Sequence, residues 1–142
     1  MKTKRFMTSW VSALTVVLCF GCATVGGGAS DTEQIERVVQ AWAAGLEAES
    51  IDDIVATWSE DYSDEEGANR DESRSSLEGF IDRGYLGYAE VSMEDAGIEI
   101  DGDTAVVYPI YLSCEMGKGT MEVTLAKEAK GWLITYLSVS GM

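Results

Sequence analysis

The chain has 142 residues, of which 25 are Asp or Glu, 10 are Lys or Arg and none is His, and its formal net charge at neutral pH is −15. A negative surplus of this size repels the phosphate backbone, which argues against nucleic-acid binding. The absence of histidine excludes Ser-His-Asp and Cys-His catalysis, histidine general bases and histidine metal sites.

The first 22 residues combine a basic start with a short apolar run. Three basic residues lie within residues 2–5, the mostly apolar residues 10–20 follow, and Gly21 and Cys22 close the segment. The apolar run is too short for a membrane-spanning helix, which needs about 20 residues, but it suits a signal peptide. The segment resembles the signal peptide of a bacterial lipoprotein. This resemblance implies that residues 1–21 are removed and that Cys22 becomes the lipidated N-terminus.

A lipid on Cys22 would bring the chain close to a membrane. Residues 22–30 contain three consecutive glycines and are expected to form a flexible tether, which spans less than about 30 Å at full stretch. Ala23 after the cysteine resembles an outer-membrane sorting signal, so we expect a lipid-anchored protein of the bacterial cell envelope, at the periplasmic face of the outer membrane. The alternatives are an ordinary secretory signal cut near Ala23 or Ala29, and a retained membrane anchor.

Processing changes both the charge and the cysteine content. Loss of the three basic signal residues, with all acidic residues kept, takes the net charge from −15 to −18. Cys19 leaves with the signal and Cys22 is lipidated, so Cys114 is the one cysteine left and cannot form an intrachain disulfide. We expect Cys114 to behave as a small, buried apolar residue.

Three helices are predicted in the first half of the remaining chain. The first starts near Asp31 or Thr32 and runs to about Glu49, since its apolar residues recur every three or four positions. Ser50 and Asp53 resemble a capping box, which would open a second helix. Apolar residues expected on one face of this second helix are Ile51, Ile54, Val55 and Trp58. A third helix is expected from Ser73 to about Gly84, burying Leu77, Phe80 and Ile81.

The second half has the period of β-strands. We expect strands over Tyr88–Met93, Gly97–Ile100, Thr104–Cys114, Thr120–Lys127 and Trp132–Val139. Asp101-Gly102 predicts a hairpin, and Pro109 predicts a bulge or an edge in the longest strand. Helices followed by an antiparallel meander predict an α+β domain with the helices on one face of the sheet.

The acidic stretch between the second and third helices, residues 59–72, is predicted to be a loop. A cluster around Gly67, which suggests a calcium site, is formed by Asp61, Asp64, Glu65, Glu66 and Asp71. Their spacing does not follow the EF-hand pattern, and a solvated acidic loop is the preferred interpretation. No metal and no cofactor are therefore expected.

Four short motifs carry a resemblance to a known superfamily. They are Val39-x-x-Trp42, Ile51-x-x-Ile54-Val55-x-x-Trp58, Gly102-Asp103-Thr104-Ala105-Val106-Val107 and Gly131-Trp132-Leu133-Ile134. Their order resembles the nuclear-transport-factor-2-like (NTF2-like, SnoaL-like) superfamily over roughly residues 33–139. The resemblance implies a cone over residues 31–142, in which N-terminal helices pack on a bent antiparallel sheet. A cystatin-like helix-on-sheet domain is the main alternative.

The candidate ligand pocket is aromatic. If Tyr108 faces inward with Val106 and Ile110 on one face of the long strand, it meets Trp42 and Trp58 from the helices and Tyr136 from the last strand. Aromatic residues with polar tips around an apolar cavity favour a small-ligand site, although the same rings are also expected of a filled core.

The expected function is therefore non-catalytic binding of a small ligand or a protein partner. The resemblance also implies an alternative, a small-molecule isomerase or lyase of the ketosteroid-isomerase type that uses a tyrosine and a carboxylate. No strand shows a lone carboxylate on an otherwise apolar face, so an enzyme is the less favoured interpretation. A homodimer through an exposed sheet face and a purely structural envelope component are further alternatives.

Overall fold

The computed structural model describes residues 29–142, so the predicted signal peptide, Cys22 and most of the predicted tether lie outside the described residues. The first helix, α1 (Asp31–Glu47), begins at Asp31, one of the two predicted starts, and its N-cap is Ser30. The Ser30 hydroxyl accepts a hydrogen bond from the Glu33 amide and the Glu33 carboxylate accepts one from the Ser30 amide. This reciprocal pair satisfies two amide groups that an uncapped helix would leave free.

The second helix, α2 (Ile51–Ala56), is shorter than predicted, and Trp58 is not part of it. The Ser50 hydroxyl donates to the Asp53 carboxylate at 2.7 Å but accepts no hydrogen bond from the helix, so the expected capping box is incomplete. Trp58 begins a strand, β1 (Trp58–Asp64), where the sequence predicted a loop. Most residues of β1 are polar, and this edge strand depends on pairing with the last strand of the chain.

The remaining elements follow the predicted order. A third helix precedes a set of strands that fold back on one another as a meander. These elements are α3 (Arg70–Asp82), β2 (Glu90–Ser92), β3 (Gly97–Asp101), β4 (Thr104–Cys114), β5 (Gly117–Glu128) and β6 (Gly131–Ser140).

The sheet has six strands in the order β1-β6-β5-β4-β2, with β3 also paired to β4. All neighbouring strands are antiparallel except β1 and β6, which are parallel. The predicted α+β cone is confirmed, with a mixed sheet in place of a fully antiparallel one. In the chain β1 lies between α2 and α3, and in the sheet it is the edge strand beside β6.

Two bulges change which side chains face the helices. In β4 the register shifts between Val107 and Ile110, where the sequence predicted a bulge at Pro109. Inward residues are therefore Ala105 and Val107 before the bulge and Ile110 and Leu112 after it. The extra residue reverses the alternation of side chains, so the expectation that Val106 and Tyr108 face inward is wrong.

The second bulge lies in β6, where Leu125 pairs with Ile134 and Thr124 pairs with Tyr136. The residue between them, Thr135, is the extra one. Inward positions in β6 are therefore Trp132 and Ile134 before the bulge and Leu137 and Val139 after it. The core between the helices and this sheet face is apolar, and its fully enclosed side chains include Ile35, Val39, Trp42, Ile54, Ile110, Met121, Val123, Leu125 and Ile134.

Candidate functional site

A cavity of about 280 Å³ opens at the end of the sheet where β1 and β6 meet α3. Its inner wall comes from α1 and from inward positions of the two strands, and its outer wall comes from α3 and the turn that follows β1. The lining residues are Trp42, Leu46, Trp58, Tyr62, Asp64, Glu65, Glu66, Ala68, Ser73, Ser76, Leu77, Phe80, Leu137, Val139 and Met142.

Two aromatic rings of β1 form the base of this cavity. Trp58 and Tyr62 stack face to face, with ring centroids 4.0 Å apart and planes 3° from parallel. Both rings are at least 95% buried. The strand is irregular between Trp58 and Ser63, and this departure from regular pairing accompanies the stacking of residues four positions apart.

Burial controls the ionisation of Tyr62. The pKa of its phenol is raised well above the usual range, first by burial and then by the charges of Asp64 and Tyr136. A phenol is neutral at physiological pH in any case, and the raised pKa keeps the Tyr62 hydroxyl a neutral hydrogen-bond donor to higher pH as well. The neighbouring indole Nε1 of Trp58 is buried and has no hydrogen-bond partner in residues 29–142.

Asp64 holds the turn between β1 and α3 in place. Its Oδ1 accepts hydrogen bonds from the amides of Glu66 at 3.0 Å and Ala68 at 2.9 Å, and its Oδ2 accepts one from the Ser73 hydroxyl at 2.9 Å. Gly67 completes the turn with a positive φ of 83°. Both carboxylate oxygens thus accept hydrogen bonds that hold the turn together.

The apolar side chains of α3 are less buried than the sequence predicted. Ser73 is its one buried residue, whereas Leu77 and Ile81 are half-buried and Phe80 is 37% exposed. Leu77 and Phe80 line the open cavity, so one side of each of these two side chains faces the cavity and does not pack against the core. The helix therefore covers the cavity without filling it.

The structure brings together two of the four predicted pocket residues. Trp42 and Trp58 both line the cavity. Tyr108 is 52% exposed, because the β4 bulge turns it away from the helices. Tyr136 is half-buried and pairs with Thr124, on the sheet face opposite Leu137.

Sequence reasoning missed Tyr62, which is the polar aromatic residue of the cavity. It lies in the stretch predicted to be an acidic loop. The sequence did contain one signal for Tyr62, since Trp58 and Tyr62 are the two aromatic residues in a run of otherwise small and acidic side chains.

The acidic residues around Tyr62 form no group of three or more potential ligands arranged for a metal ion within residues 29–142. No helix of that range is long and apolar enough to cross a membrane.

Comparisons with known proteins show similarity in structure but not in sequence. No family model matches the chain, and no curated protein matches it. A protein of unknown function with a cystatin-like fold from Nostoc punctiforme superposes with a TM-score of 0.65 at 16% identity, over 79% of this chain and 91% of the other.

Two further structures carry names that suggest enzymes. A proposed dehydratase of the NTF2-like family from Streptomyces avermitilis has a TM-score of 0.62 at 15% identity, over 79% of this chain and 96% of the other. A proposed scytalone dehydratase from Novosphingobium aromaticivorans has a TM-score of 0.61 at 20% identity, over 79% and 84%. At these sequence identities the structural similarity shows a shared fold, and it does not show a shared activity. The described part of the chain thus has the fold of NTF2-like proteins, also called cystatin-like.

Proposed function

We propose that this NTF2-like domain is a non-catalytic binding module that holds a small, mostly apolar ligand with a flat ring in the cavity at Trp58 and Tyr62. The observation that carries the proposal is the open cavity itself, which has a stacked aromatic base and an α3 wall that leaves Leu77 and Phe80 partly exposed. Its volume of about 280 Å³ lies just below the usual range of ligand sites, which starts at about 300 Å³. The size suits one or two fused rings.

The polar groups of the cavity support binding more than catalysis. Tyr62 remains protonated and can donate a hydrogen bond to a ligand oxygen. Asp64 is the carboxylate nearest to it in the chain that also lines the cavity, but its oxygens are occupied by Glu66, Ala68 and Ser73. A general base needs a free oxygen within reach of the substrate proton. The free carboxylates of the cavity are those of Glu65 and Glu66, whose side chains are exposed to solvent, whereas Tyr62 is buried.

The binding proposal can be tested with a neutral fluorescent probe, N-phenyl-1-naphthylamine. We expect saturable enhancement of its emission with the wild-type domain. Ser76 and Ser75 offer a matched pair, because both are exposed on α3 but only Ser76 lines the cavity. Ser76→Trp should reduce probe affinity at least about tenfold by obstructing the site, and Ser75→Trp should leave it unchanged. Equal affinities in the two variants would contradict the proposal.

The alternative, an isomerase, rests on Tyr62 and Asp64 lining the same cavity. This alternative requires turnover of a β,γ-unsaturated ketone to its conjugated isomer, and ultraviolet absorbance measures the formation of the conjugated product. Turnover that Tyr62→Phe and Asp64→Asn abolish would favour this alternative. Absence of turnover alongside saturable probe binding would favour the binding module.

We also propose that the domain is tethered to the periplasmic face of the outer membrane by lipid on Cys22. The basic and apolar segment that precedes this cysteine supports the proposal. Metabolic labelling with palmitate should mark the wild-type chain and Cys114→Ala, but not Cys22→Ala. Separation of inner and outer membranes by density should place the labelled protein in the outer-membrane fraction. Equal labelling of the wild type and Cys22→Ala would rule out the anchor.

A further inference from the structure

The cavity at Trp58 and Tyr62 has an unbalanced charge. Three acidic residues line it, Asp64, Glu65 and Glu66, and no Lys or Arg is among its lining residues. The ion pairs of residues 29–142 join Arg70 to Glu60, Arg74 to Asp52 and Glu78, and Lys127 to Asp31. None of these pairs neutralises the carboxylates beside the cavity.

Two of the three carboxylates are free to meet a ligand. Asp64 is committed to the turn, whereas the Glu65 and Glu66 side chains are exposed. The backbone beneath them is fixed, because the Glu65 amide donates to the Leu137 carbonyl at 3.1 Å and the Glu66 amide donates to Asp64. Both charges are thus presented from a rigid turn at the cavity wall.

The positive end of α3 lies near the same turn but offers little to an anion. The amides of Asp71 and Glu72 donate to the Asn69 side chain, and the Ser73 amide donates to the Asn69 carbonyl. The Glu72 carboxylate in turn accepts from the Asn69 amide. The amides of Asp71, Glu72 and Ser73 are therefore occupied within the chain, and the acidic side chains dominate the field at the cavity.

We propose that the natural ligand is a cation, namely a ring-bearing amine whose ring stacks in the cavity and whose ammonium group lies beside Glu65 and Glu66. The proposal rests on the binding function proposed above and adds the charge class of the ligand. Trp58, Tyr62 and Phe80 all line the cavity, and aromatic walls favour a ligand with a flat ring and tolerate a nearby cation. A neutral ring would gain the stacking alone, and an anion would be repelled.

The test compares three probes that share one ring system and differ in charge: 2-naphthylmethylammonium, 2-naphthalenemethanol and 2-naphthoate. Their affinities are measured by displacement of N-phenyl-1-naphthylamine and by calorimetry, at low and high sodium chloride. We expect the amine to bind about tenfold more tightly than the alcohol at low salt, with the naphthoate weakest. The preference should shrink at high salt, because salt screens exposed charges.

A charge-matched pair of double variants assigns the effect to the cavity. Glu65→Gln with Glu66→Gln should abolish the preference for the amine and leave the affinity of the alcohol unchanged. Glu94→Gln with Glu99→Gln removes the same charge from exposed positions that do not line the cavity, and should keep the preference.

The possible failures are distinguishable. Binding of the alcohol without any preference for the amine would overturn the proposed charge class and leave the binding function intact. Failure of all three probes to bind would overturn the binding function itself. A preference that survives Glu65→Gln with Glu66→Gln would overturn the role of these two carboxylates.

Discussion

Asp31 and Trp132 are 101 residues apart in the chain and are joined by a hydrogen bond, in which the indole Nε1 donates to the Asp31 carboxylate at 3.0 Å. The same carboxylate oxygen accepts from the Lys127 ammonium group at 2.8 Å. Asp31 is the first residue of α1, where a negative charge also suits the helix dipole. One side chain thus connects the start of the helical layer to the β5–β6 hairpin.

The first prediction concerns the acid stability that Asp31 provides. Its hydrogen bonds from Lys127 and Trp132 lower the pKa of the carboxyl group below its usual range. The pKa of Asp31 in the native state lies below its value of about 4 in the unfolded chain. The stability that the ionised carboxylate provides is therefore complete above about pH 4, and it is lost as the pH falls through the native pKa. Asp31→Asn should therefore lower the Tm at neutral pH, and its Tm should approach that of the wild type in acid. Thermal unfolding followed by circular dichroism measures both effects.

Glu36→Gln is the matched control for this experiment, since Glu36 is an exposed acidic residue of the same helix. We expect its Tm to equal that of the wild type at both pH values. A neutral-pH Tm for Asp31→Asn equal to that of the wild type would contradict a stabilising role for the link.

The second prediction concerns two helical glycines that respond in opposite ways to alanine. A Cβ on Gly45 would lie 2.9 Å from Ile54 Cγ1 and 3.0 Å from the Ile54 backbone nitrogen, and Ile54 is fully buried. Alanine gains about 0.5–1 kcal/mol over glycine in a helix, but overpacking of this kind costs about 1–3 kcal/mol. Gly45→Ala should therefore lower the free energy of unfolding.

Gly79 in α3 is the control for Gly45, because a Cβ there meets no atom within 4 Å. Gly79→Ala should raise the free energy of unfolding by about 0.5–1 kcal/mol. Urea unfolding of both variants measures the difference. A stabilised Gly45→Ala would show that α1 and α2 pack less tightly than these distances indicate.

The third prediction concerns the turn that Asp64 organises. Asp64→Ala leaves the amides of Glu66 and Ala68 without their side-chain acceptor and leaves the Ser73 hydroxyl with the Ala68 carbonyl at 3.4 Å, which should cost about 1–3 kcal/mol. Ser73→Ala removes one of these bonds and should cost about 1 kcal/mol. The double variant should be less destabilised than the sum of the two, because both changes remove the same bond. Guanidinium unfolding gives these values, and simple additivity would contradict the coupling.

Local signals explain why most elements were predicted correctly. The apolar period of α1, the Asp101-Gly102 hairpin and the bulge near Pro109 each depend on residues a few positions apart. In the structure Gly102 takes the positive φ of 60° that such a turn needs. The fold class followed from the order of these elements, since each was correct in kind.

The site was harder to predict, because it depends on long-range pairing. Five of the seven residues of β1 are Ser, Asp or Glu, and nothing within this stretch indicates its parallel pairing with β6. Missing β1 meant missing Tyr62. The error at Tyr108 has a different origin: the bulge was predicted, but Tyr108 was still placed on the same face as Ile110, although the bulge between Val107 and Ile110 reverses the alternation.

The last prediction concerns alkaline stability and Tyr62. Burial raises the pKa of the Tyr62 phenol well above its usual range, so the native state holds this proton more tightly than the unfolded chain, in which it leaves near pH 10. The stability that this difference provides is complete below about pH 10 and is lost as the pH rises further. Tyr62→Phe should therefore show a smaller loss of stability above about pH 10 than the wild type. Tyr88→Phe removes a phenol that is 91% exposed and should behave as the wild type does. Urea midpoints at neutral and alkaline pH measure the effect, and identical pH profiles for the wild type and Tyr62→Phe would show that the phenol at the base of the cavity is accessible to hydroxide in the native state.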